Sequence, residues 1–258
     1  AVAVLEVTNG DVLALVSTPS YDPNTFVQGM TQKQYDTLIN APEKPLFHRA
    51  IRGLYPPAST IKPFIALAGI NKGIIDETTT IYDPGWYRLP GISHRYRDFK
   101  RSGHGPIQLK RAITVSCDTY FYQLGNKLGI NAIEDILRRF GFGQLSHIDL
   151  KEENSGIVPS PHWKKQMKAL PWYPGDTVIT AIGQGFMLAS PLQLANATAS
   201  LSQHGRRFRP HLLKEYSTEE NKSHTLIPLE EYPVHLKNNA WNLITDSMHS
   251  VISKREGT

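Results

Sequence analysis

The sequence predicts an α+β (mixed α/β) fold, with strand patterns near both ends of the chain and helical patterns between them. The chain opens on alternating apolar residues, and a second strand pattern covers about 206–216. Apolar residues at helical spacing dominate 59–140. With 258 residues, 40% of them hydrophobic, the chain can bury one large core. We expect a sheet lobe over about 1–58 and 205–258 and a helical lobe over about 59–204.

Turn and capping residues place the individual elements. Asn9-Gly10 favours a tight turn in an N-terminal hairpin, and Thr31 with Gln34 forms a capping box. The predicted elements are, in order, a hairpin over 2–16, helices over 31–40 and 59–72, a long loop over 82–106, helices over about 107–116, 118–128 and 131–140, a loop-rich stretch to 177, a helix over 190–205, a strand over 206–216 and an amphipathic helix over 241–252.

The helix over 59–72 begins with a serine that precedes a lysine by three residues. Because such residues are neighbours on a helix surface, the Lys62 amine can reach the Ser59 hydroxyl. Lysine activates serine only where burial or a nearby cation lowers its pKa from about 10.4 towards roughly 7–8. We expect Ser59 to cap this helix, Pro63 to lie in its first turn and Gly73 to end it. The alternative is an ordinary core helix whose lysine reaches solvent.

The net charge of +5 is modest and partly clustered. The basic clusters are Arg95, Arg97, Lys100 and Arg101; Lys164, Lys165 and Lys168; and Arg206, Arg207 and Arg209. No zinc-finger, RRM or KH pattern accompanies them, so we expect solvated faces and no nucleic acid partner. The chain also contains neither an apolar run of membrane-spanning length nor a signal peptide pattern, and we expect a targeting segment upstream.

A second serine motif, Ser116-Cys117-Asp118, lies between two predicted helices. Together with Ser59 and Lys62 it resembles the penicillin-recognising serine acyltransferases, whose motifs are Ser-x-x-Lys, Ser-x-Asn and Lys-Thr/Ser-Gly. Segments over 9–24, 172–177 and 182–185 are similar to class B penicillin-binding proteins of the elongation type, so the resemblance covers nearly the whole chain. It implies an antiparallel sheet lobe beside a helical lobe.

The resemblance also implies a reaction, partners and a location. The expected activity is D,D-transpeptidation of peptidoglycan stem peptides, with Ser59 as nucleophile, Lys62 as base, Ser116 as proton relay and Asp118 as a supporting polar group. β-Lactam antibiotics would acylate Ser59. The expected partners are a polytopic membrane glycan polymerase and the rod-shape complex, at the periplasmic face of the bacterial inner membrane, with an N-terminal anchoring helix outside this chain.

The sequence departs from the family pattern at two points. Asp118 replaces the asparagine of the second motif, and a carboxylate only accepts hydrogen bonds and would raise the pKa of Lys62. No Lys-Thr-Gly or Lys-Ser-Gly occurs. Because losing one oxyanion donor can cost roughly 10²–10³ in rate, we expect the protein to continue past Thr258 and this chain alone to be inactive or unable to close its sheet.

The single cysteine excludes an internal disulfide and suggests a metal site. Asp83, Asp98 and His104 precede Cys117, and these four side chains could bind a structural zinc ion. Their irregular spacing leaves a buried thiol among scattered polar groups as the alternative. The family resemblance favours zinc, because some elongation-type members bind zinc in this region. We expect no organic cofactor.

Two other functions remain open at this point. A D,D-carboxypeptidase or a β-lactamase would have the same fold, although a β-lactamase needs a carboxylate that activates water. A non-catalytic cell-wall scaffolding module would use the basic loops, and the missing third motif favours it.

Overall fold

The computed structural model describes residues 1–218, 223–231, 233–236 and 238–258. The helices are α1 (Asn24–Val27), α2 (Gln32–Ile39), α3 (Arg49–Arg52), α4 (Lys62–Asn71), α5 (Leu109–Thr114), α6 (Asp118–Leu128), α7 (Ile130–Arg139), α8 (Pro161–Lys168), α9 (Pro174–Thr180), α10 (Pro191–Ser202) and α11 (Asn238–Ser253). The strands are β1 (Val2–Leu5), β2 (Val12–Val16), β3 (Thr80–Asp83), β4 (Trp86–Tyr87), β5 (Tyr96–Arg97), β6 (Gly105–Gln108), β7 (Arg207–Phe208), β8 (Glu215–Ser217), β9 (Ser223–Thr225) and β10 (Glu230–Glu231).

The described strands form five antiparallel pairs: β1–β2, β3–β6, β4–β5, β7–β10 and β8–β9. In the β3–β6 pair, Thr80 lies opposite Gln108 and Asp83 lies opposite Gly105. This pairing closes the base of the long loop that connects the two strands. The mixture of helices with antiparallel strands confirms the predicted α+β class.

Helix α4 lies at the centre of the molecule. Its first eight residues are buried, because it is apolar on every side and packs against α6, α7 and α11. The Phe64 ring meets those of Phe140 and Phe142 edge-on, with centroids 4.8 and 5.4 Å apart. A Cβ at Gly69 would lie 2.8 Å from Ile75 Cγ1 and 2.9 Å from Leu124 Cδ1, so a larger residue there would force these side chains to move. This position buries Lys62 at the start of the helix.

The start of this helix differs from the prediction. Residues Ala58–Ile61 form a 3₁₀ turn, and the α-helix begins only at Lys62. The prediction that Ser59 caps the helix is wrong, because its side chain makes no capping hydrogen bond. The cause is Pro63: an α-turn from Ser59 would need the N–H that proline lacks, and Lys62 donates to the Ser59 carbonyl instead. Pro63 does lie in the first α-turn, as predicted.

Several other boundaries were confirmed or corrected. The hairpin and the capping box of Thr31 are present as predicted, and Ser190 forms a capping box at the start of α10. Residues 107–108 belong to strand β6 rather than to a helix. Helix α8 was missed inside the loop-rich stretch, because its polar sequence has no apolar stripe, although the Ser160 side chain caps it. None of the described helices has the length and apolar character of a membrane-spanning segment.

Candidate active site

The Lys62 amine lies at the centre of a buried polar cluster. Its Nζ donates hydrogen bonds to Asp118 Oδ1 at 2.7 Å, to the Ser116 carbonyl at 2.8 Å and to Ser116 Oγ at 3.0 Å. The side chain is only 2% exposed, and its Nζ lies 5.5 Å from the centroid of the Phe121 ring. The structure therefore brings the two serine motifs together through this lysine, and the alternative of a solvent-reaching side chain is wrong.

Two opposing effects set the pKa of Lys62. Burial is the larger and lowers the pKa, because the charged amine loses its hydration. The negative charge and the hydrogen bond of Asp118 raise it, as expected from the sequence, but the net result stays below the ordinary lysine value. Asp118 thus stabilises the position and the charged form of the amine without cancelling the effect of burial.

Ser59 lies at the mouth of a cavity that Lys62 and Ser116 also line. The cavity has a volume of about 400 Å³, and the Ser59 residue is exposed towards it. Its opposite wall comes from two helices that the sequence did not assign to the site. These wall residues are Leu194 and Thr198 of α10 and Met248, Val251 and Ile252 of α11. The sequence predicted both helices, the first from its terminal residues and the second from its amphipathic pattern, but neither signal reveals which of their residues border a cavity.

The backbone has an unusual conformation just before the first serine and at the second serine itself. Ala58 and Ser116 both have φ of +51°, a left-handed conformation that costs non-glycine residues about 1–2 kcal/mol. Such outliers concentrate at functional sites, where the surrounding structure fixes them. The Ala58 N–H donates to the carbonyl of Gly183 at 2.9 Å, which fixes the turn just before Ser59. The segment over 182–185 therefore lies next to Ser59.

The four predicted metal ligands form a second cluster behind the second motif. The candidate ligand atoms of Asp83, Asp98, His104 and Cys117 all lie within 4.8 Å of one another. His104 Nδ1 lies 2.7 Å from Asp83 Oδ2, and Cys117 Sγ lies 3.4 Å from the same oxygen. The alternative of scattered surface groups is wrong, because all four side chains are buried or nearly so.

The composition of this cluster fits a divalent cation. The cluster contains two buried carboxylates and a buried thiol, and its one basic side chain is the imidazole of His104. Buried negative charge is costly without a counter-ion. Burial raises the pKa of the Cys117 thiol, and Asp98 and Asp83 raise it further. A coordinated cation would reverse that effect and deprotonate the sulfur. Zinc accepts each of these ligand types, carboxylate oxygen, imidazole nitrogen and thiolate sulfur.

Cys117 and Asp98 also hold the start of helix α6. The Cys117 Sγ accepts from the Tyr120 N–H at 3.4 Å as the N-cap, and Asp98 Oδ2 accepts from the Thr119 N–H at 3.0 Å. Asp118, which binds the Lys62 amine, lies between Cys117 and Thr119 in the sequence. The cluster and the catalytic candidates therefore share one helix terminus.

Comparison with known proteins agrees with the geometry. The family model for the penicillin-binding protein transpeptidase domain matches residues 1–258. Peptidoglycan D,D-transpeptidase MrdA of Escherichia coli K12 is 43% identical over 259 residues, which cover all of this chain but only 41% of that protein.

Two solved structures are similar throughout. Pseudomonas aeruginosa PBP2 in complex with WCK 5153 has a TM-score of 0.91 and 42% identity, over 99% of this chain and 55% of that one. Helicobacter pylori PBP2 in complex with MreC has a TM-score of 0.86 and 32% identity, over 99% and 46%. The resemblance drawn from the two serine motifs is confirmed: this chain belongs to the penicillin-binding protein transpeptidase domain family.

Proposed function

We propose that the protein is a peptidoglycan D,D-transpeptidase that cross-links stem peptides through an acyl-enzyme on Ser59. The observation that carries the proposal is the buried Lys62 amine, bonded to Ser116 and Asp118 and lining one cavity with Ser59. Kinship with a protein named as a D,D-transpeptidase supports the same reaction, although the chain spans only 41% of that relative.

The first half of the reaction forms an ester. Ser59 Oγ attacks the carbonyl carbon of the penultimate D-alanine while its proton passes to neutral Lys62, directly or through the Ser116 hydroxyl. The peptide C–N bond then breaks, and the same proton moves to the departing amine, which leaves as D-alanine. The Ser59 N–H lies in the first helical turn, where backbone donors lack helical partners, and can stabilise the oxyanion.

The second half transfers the acyl group to a neighbouring strand. An amine of that strand attacks the ester carbonyl and forms an amide bond, and Lys62 takes the proton that the amine loses. The ester C–O bond breaks and Ser59 Oγ recovers a proton. Four apolar side chains from α10 and α11, those of Leu194, Met248, Val251 and Ile252, line the cavity in which this transfer takes place.

The test is reconstitution of cross-linking by the intact protein on nascent glycan strands, with mass spectrometry of the products. Ser59→Ala should abolish cross-linked products, whereas Ser20→Ala, which alters an exposed serine, should not. Release of D-alanine without cross-links would contradict the proposal and favour a carboxypeptidase. Rapid turnover of a labelled penicillin would favour a β-lactamase. Unchanged penicillin labelling and unchanged complementation of cell shape by Ser59→Ala would favour a scaffold.

A structural zinc ion held by Asp83, Asp98, His104 and Cys117 forms part of the proposal. It would supply no chemistry to the reaction and would fix the loop between β3 and β6 against the start of α6. Elemental analysis of the purified protein should find zinc, and Cys117→Ser should lose it together with thermal stability. His94→Ala, an exposed histidine of the same loop, is the control. A metal-free protein of full stability would contradict the site.

The proposal also includes the expected surroundings. The intact protein works at the periplasmic face of the inner membrane, anchored by a helix upstream of this chain, beside a polytopic glycan polymerase and the rod-shape complex. β-Lactams acylate its serine. The H. pylori structure with MreC supports the rod-shape partner by kinship. Co-purification of the intact membrane protein with the polymerase tests the assembly.

A further inference from the structure

The β4–β5 hairpin next to the candidate active site has two different faces. Tyr87 and Tyr96 lie on one side and pack on Tyr122 of α6, with ring centroids 6.5 and 5.8 Å apart. Trp86 is paired with Arg97 in the register of the hairpin. Because side chains alternate along a strand, Trp86 and Arg97 lie on the opposite side, away from α6.

Positive charge is concentrated on this outer side and in the turn that follows. Arg95 lies two residues before Arg97 and therefore on the same face, and its guanidinium carbon is 4.4 Å from the centroid of the Trp86 ring. Lys100 and Arg101 follow in the adjoining turn, and all four cations are exposed. We call Arg95, Arg97, Lys100 and Arg101, together with Trp86, the basic surface.

The charge of the basic surface is not balanced by nearby carboxylates. The two acidic residues of the loop, Asp83 and Asp98, are 1% and 0% exposed and accept hydrogen bonds from backbone N–H groups inside it. Within the ranges that the structure describes, none of the four cations forms an ion pair. The basic surface is therefore available to an external anion.

The basic surface is rigidly connected to the catalytic candidates. The Tyr122 hydroxyl of α6 donates a hydrogen bond to the Arg97 carbonyl at 3.3 Å. One turn earlier, the Thr119 N–H donates to Asp98, the residue after Arg97. Asp118, which binds Lys62, immediately precedes Thr119. A ligand on the basic surface would thus lie beside the helix that carries the second motif.

We propose that the basic surface binds the carboxylate groups of a peptidoglycan strand and holds it beside the cavity. The inference rests on the proposed function, because it concerns the same substrate polymer. Guanidinium groups pair with carboxylates through two parallel hydrogen bonds, and stem peptides repeat carboxylates along a glycan. Each exposed contact is weak, but several contacts to one polymer add up. The Trp86 ring supplies an apolar surface beside these charges.

The test measures sedimentation of the intact protein with purified insoluble peptidoglycan. Arg95→Glu/Arg97→Glu should weaken binding about tenfold at low salt, and wild-type binding should fall as salt rises. Arg95→Gln/Arg97→Gln removes the two positive charges without reversing them and keeps polar side chains at both positions. This variant should lose less peptidoglycan binding. The control, Lys165→Glu/Lys168→Glu, makes the same charge change on exposed residues of α8 and should bind as the wild type does.

Two further measurements separate the possible failures. Labelling of Ser59 by a fluorescent penicillin in the same samples reports whether the site is intact. An arginine variant that is labelled normally and binds peptidoglycan like the wild type would overturn the inference and leave the proposed function standing. Equal losses in both charge-reversal variants, or wild-type binding to anionic phospholipid vesicles but not to peptidoglycan, would also overturn it. A wild-type protein that no penicillin labels would instead overturn the proposed function.

Discussion

At the scale of single residues, the proposed activation of Ser59 depends on Lys62 and Asp118. Burial lowers the pKa of Lys62, and Asp118 opposes that shift from 2.7 Å away. An asparagine at position 118 would hold the amine in place without the negative charge. The aspartate therefore keeps a larger share of the amine protonated at a given pH, which makes the pH dependence of acylation a direct measure of its influence.

Replacing Asp118 by asparagine should shift the pH dependence of acylation towards lower pH. Lys62 takes the Ser59 proton only in its neutral form. Because Asp118 raises the pKa of Lys62, its removal lowers that pKa and lets the neutral form appear at lower pH. The measurement is the rate of penicillin acylation against pH for both proteins. A shift towards higher pH, or none, would contradict this role of Asp118.

At the scale of elements, the 3₁₀ turn before α4 is held in place by the loop after α9. Gly183 has φ of +71°, and a Cβ there would lie 2.2 Å from the Ala58 carbonyl oxygen. Gly129 has nearly the same φ, +73°, but a Cβ there would meet nothing within 4 Å. The two glycines therefore share a positive φ, and only Gly183 meets the turn that carries Ser59.

Gly183→Ala should slow penicillin acylation by at least about tenfold, because it displaces Ser59 from its attacking position. Gly129→Ala also puts a side chain at positive φ, in a region with ψ of 161° that is essentially restricted to glycine and costs about 1–3 kcal/mol, so it should lower stability while acylation continues at the wild-type rate. Acylation rates and thermal unfolding of both variants provide the check. Equal acylation rates in the two variants would show that the contact with Ala58 does not position the nucleophile.

Helices α8 and α9 are joined by a buried ion pair. Lys164 Nζ lies 2.6 Å from Asp176 Oδ2, and the lysine side chain is 4% exposed. Its Nζ also lies 4.7 Å from the centroid of the Tyr173 ring and 5.4 Å from that of Phe186. The pair fixes the start of α9, whose far end leads to Gly183.

Lys164→Met should lower the free energy of unfolding by about 3 kcal/mol, because it leaves the Asp176 carboxylate without its cation. Arg52→Met removes an exposed pair with Glu152, whose side chains are 39% and 68% exposed, and should cost less than about 1 kcal/mol. Thermal unfolding of the two variants measures the difference. Similar losses of unfolding free energy in the two variants would show that the buried Lys164–Asp176 pair contributes no more to stability than the exposed Arg52–Glu152 pair.

At the scale of the whole molecule, the sequence indicated which side chains meet better than it indicated the architecture around them. Ser59 and Lys62 could be picked out as a spaced pair, and the family resemblance linked them to Ser116 and Asp118, which the structure places beside Lys62. The metal-ligand candidates depended on the family resemblance, since the strand pairing that brings Asp83 to His104 is not a local pattern.

Features that arise from long-range packing could not be predicted. The Ala58–Gly183 hydrogen bond and the α10–α11 wall join segments that are far apart in the sequence. Helix α8 was missed for a local reason, because short polar helices owe their stability to capping and to tertiary contacts such as the Lys164 pair. The start of α4 was misplaced because Pro63 acts on the turn before it.

The central claim, that Lys62 activates Ser59 as the nucleophile of an acyl-enzyme, is tested most directly by mass spectrometry of the intact protein after treatment with penicillin. We expect a single penicilloyl adduct, located by digestion on the peptide that contains Ser59, absent from Ser59→Ala and formed much more slowly by Lys62→Met. An adduct that persists in Ser59→Ala, or acylation of Lys62→Met at the wild-type rate, would contradict it.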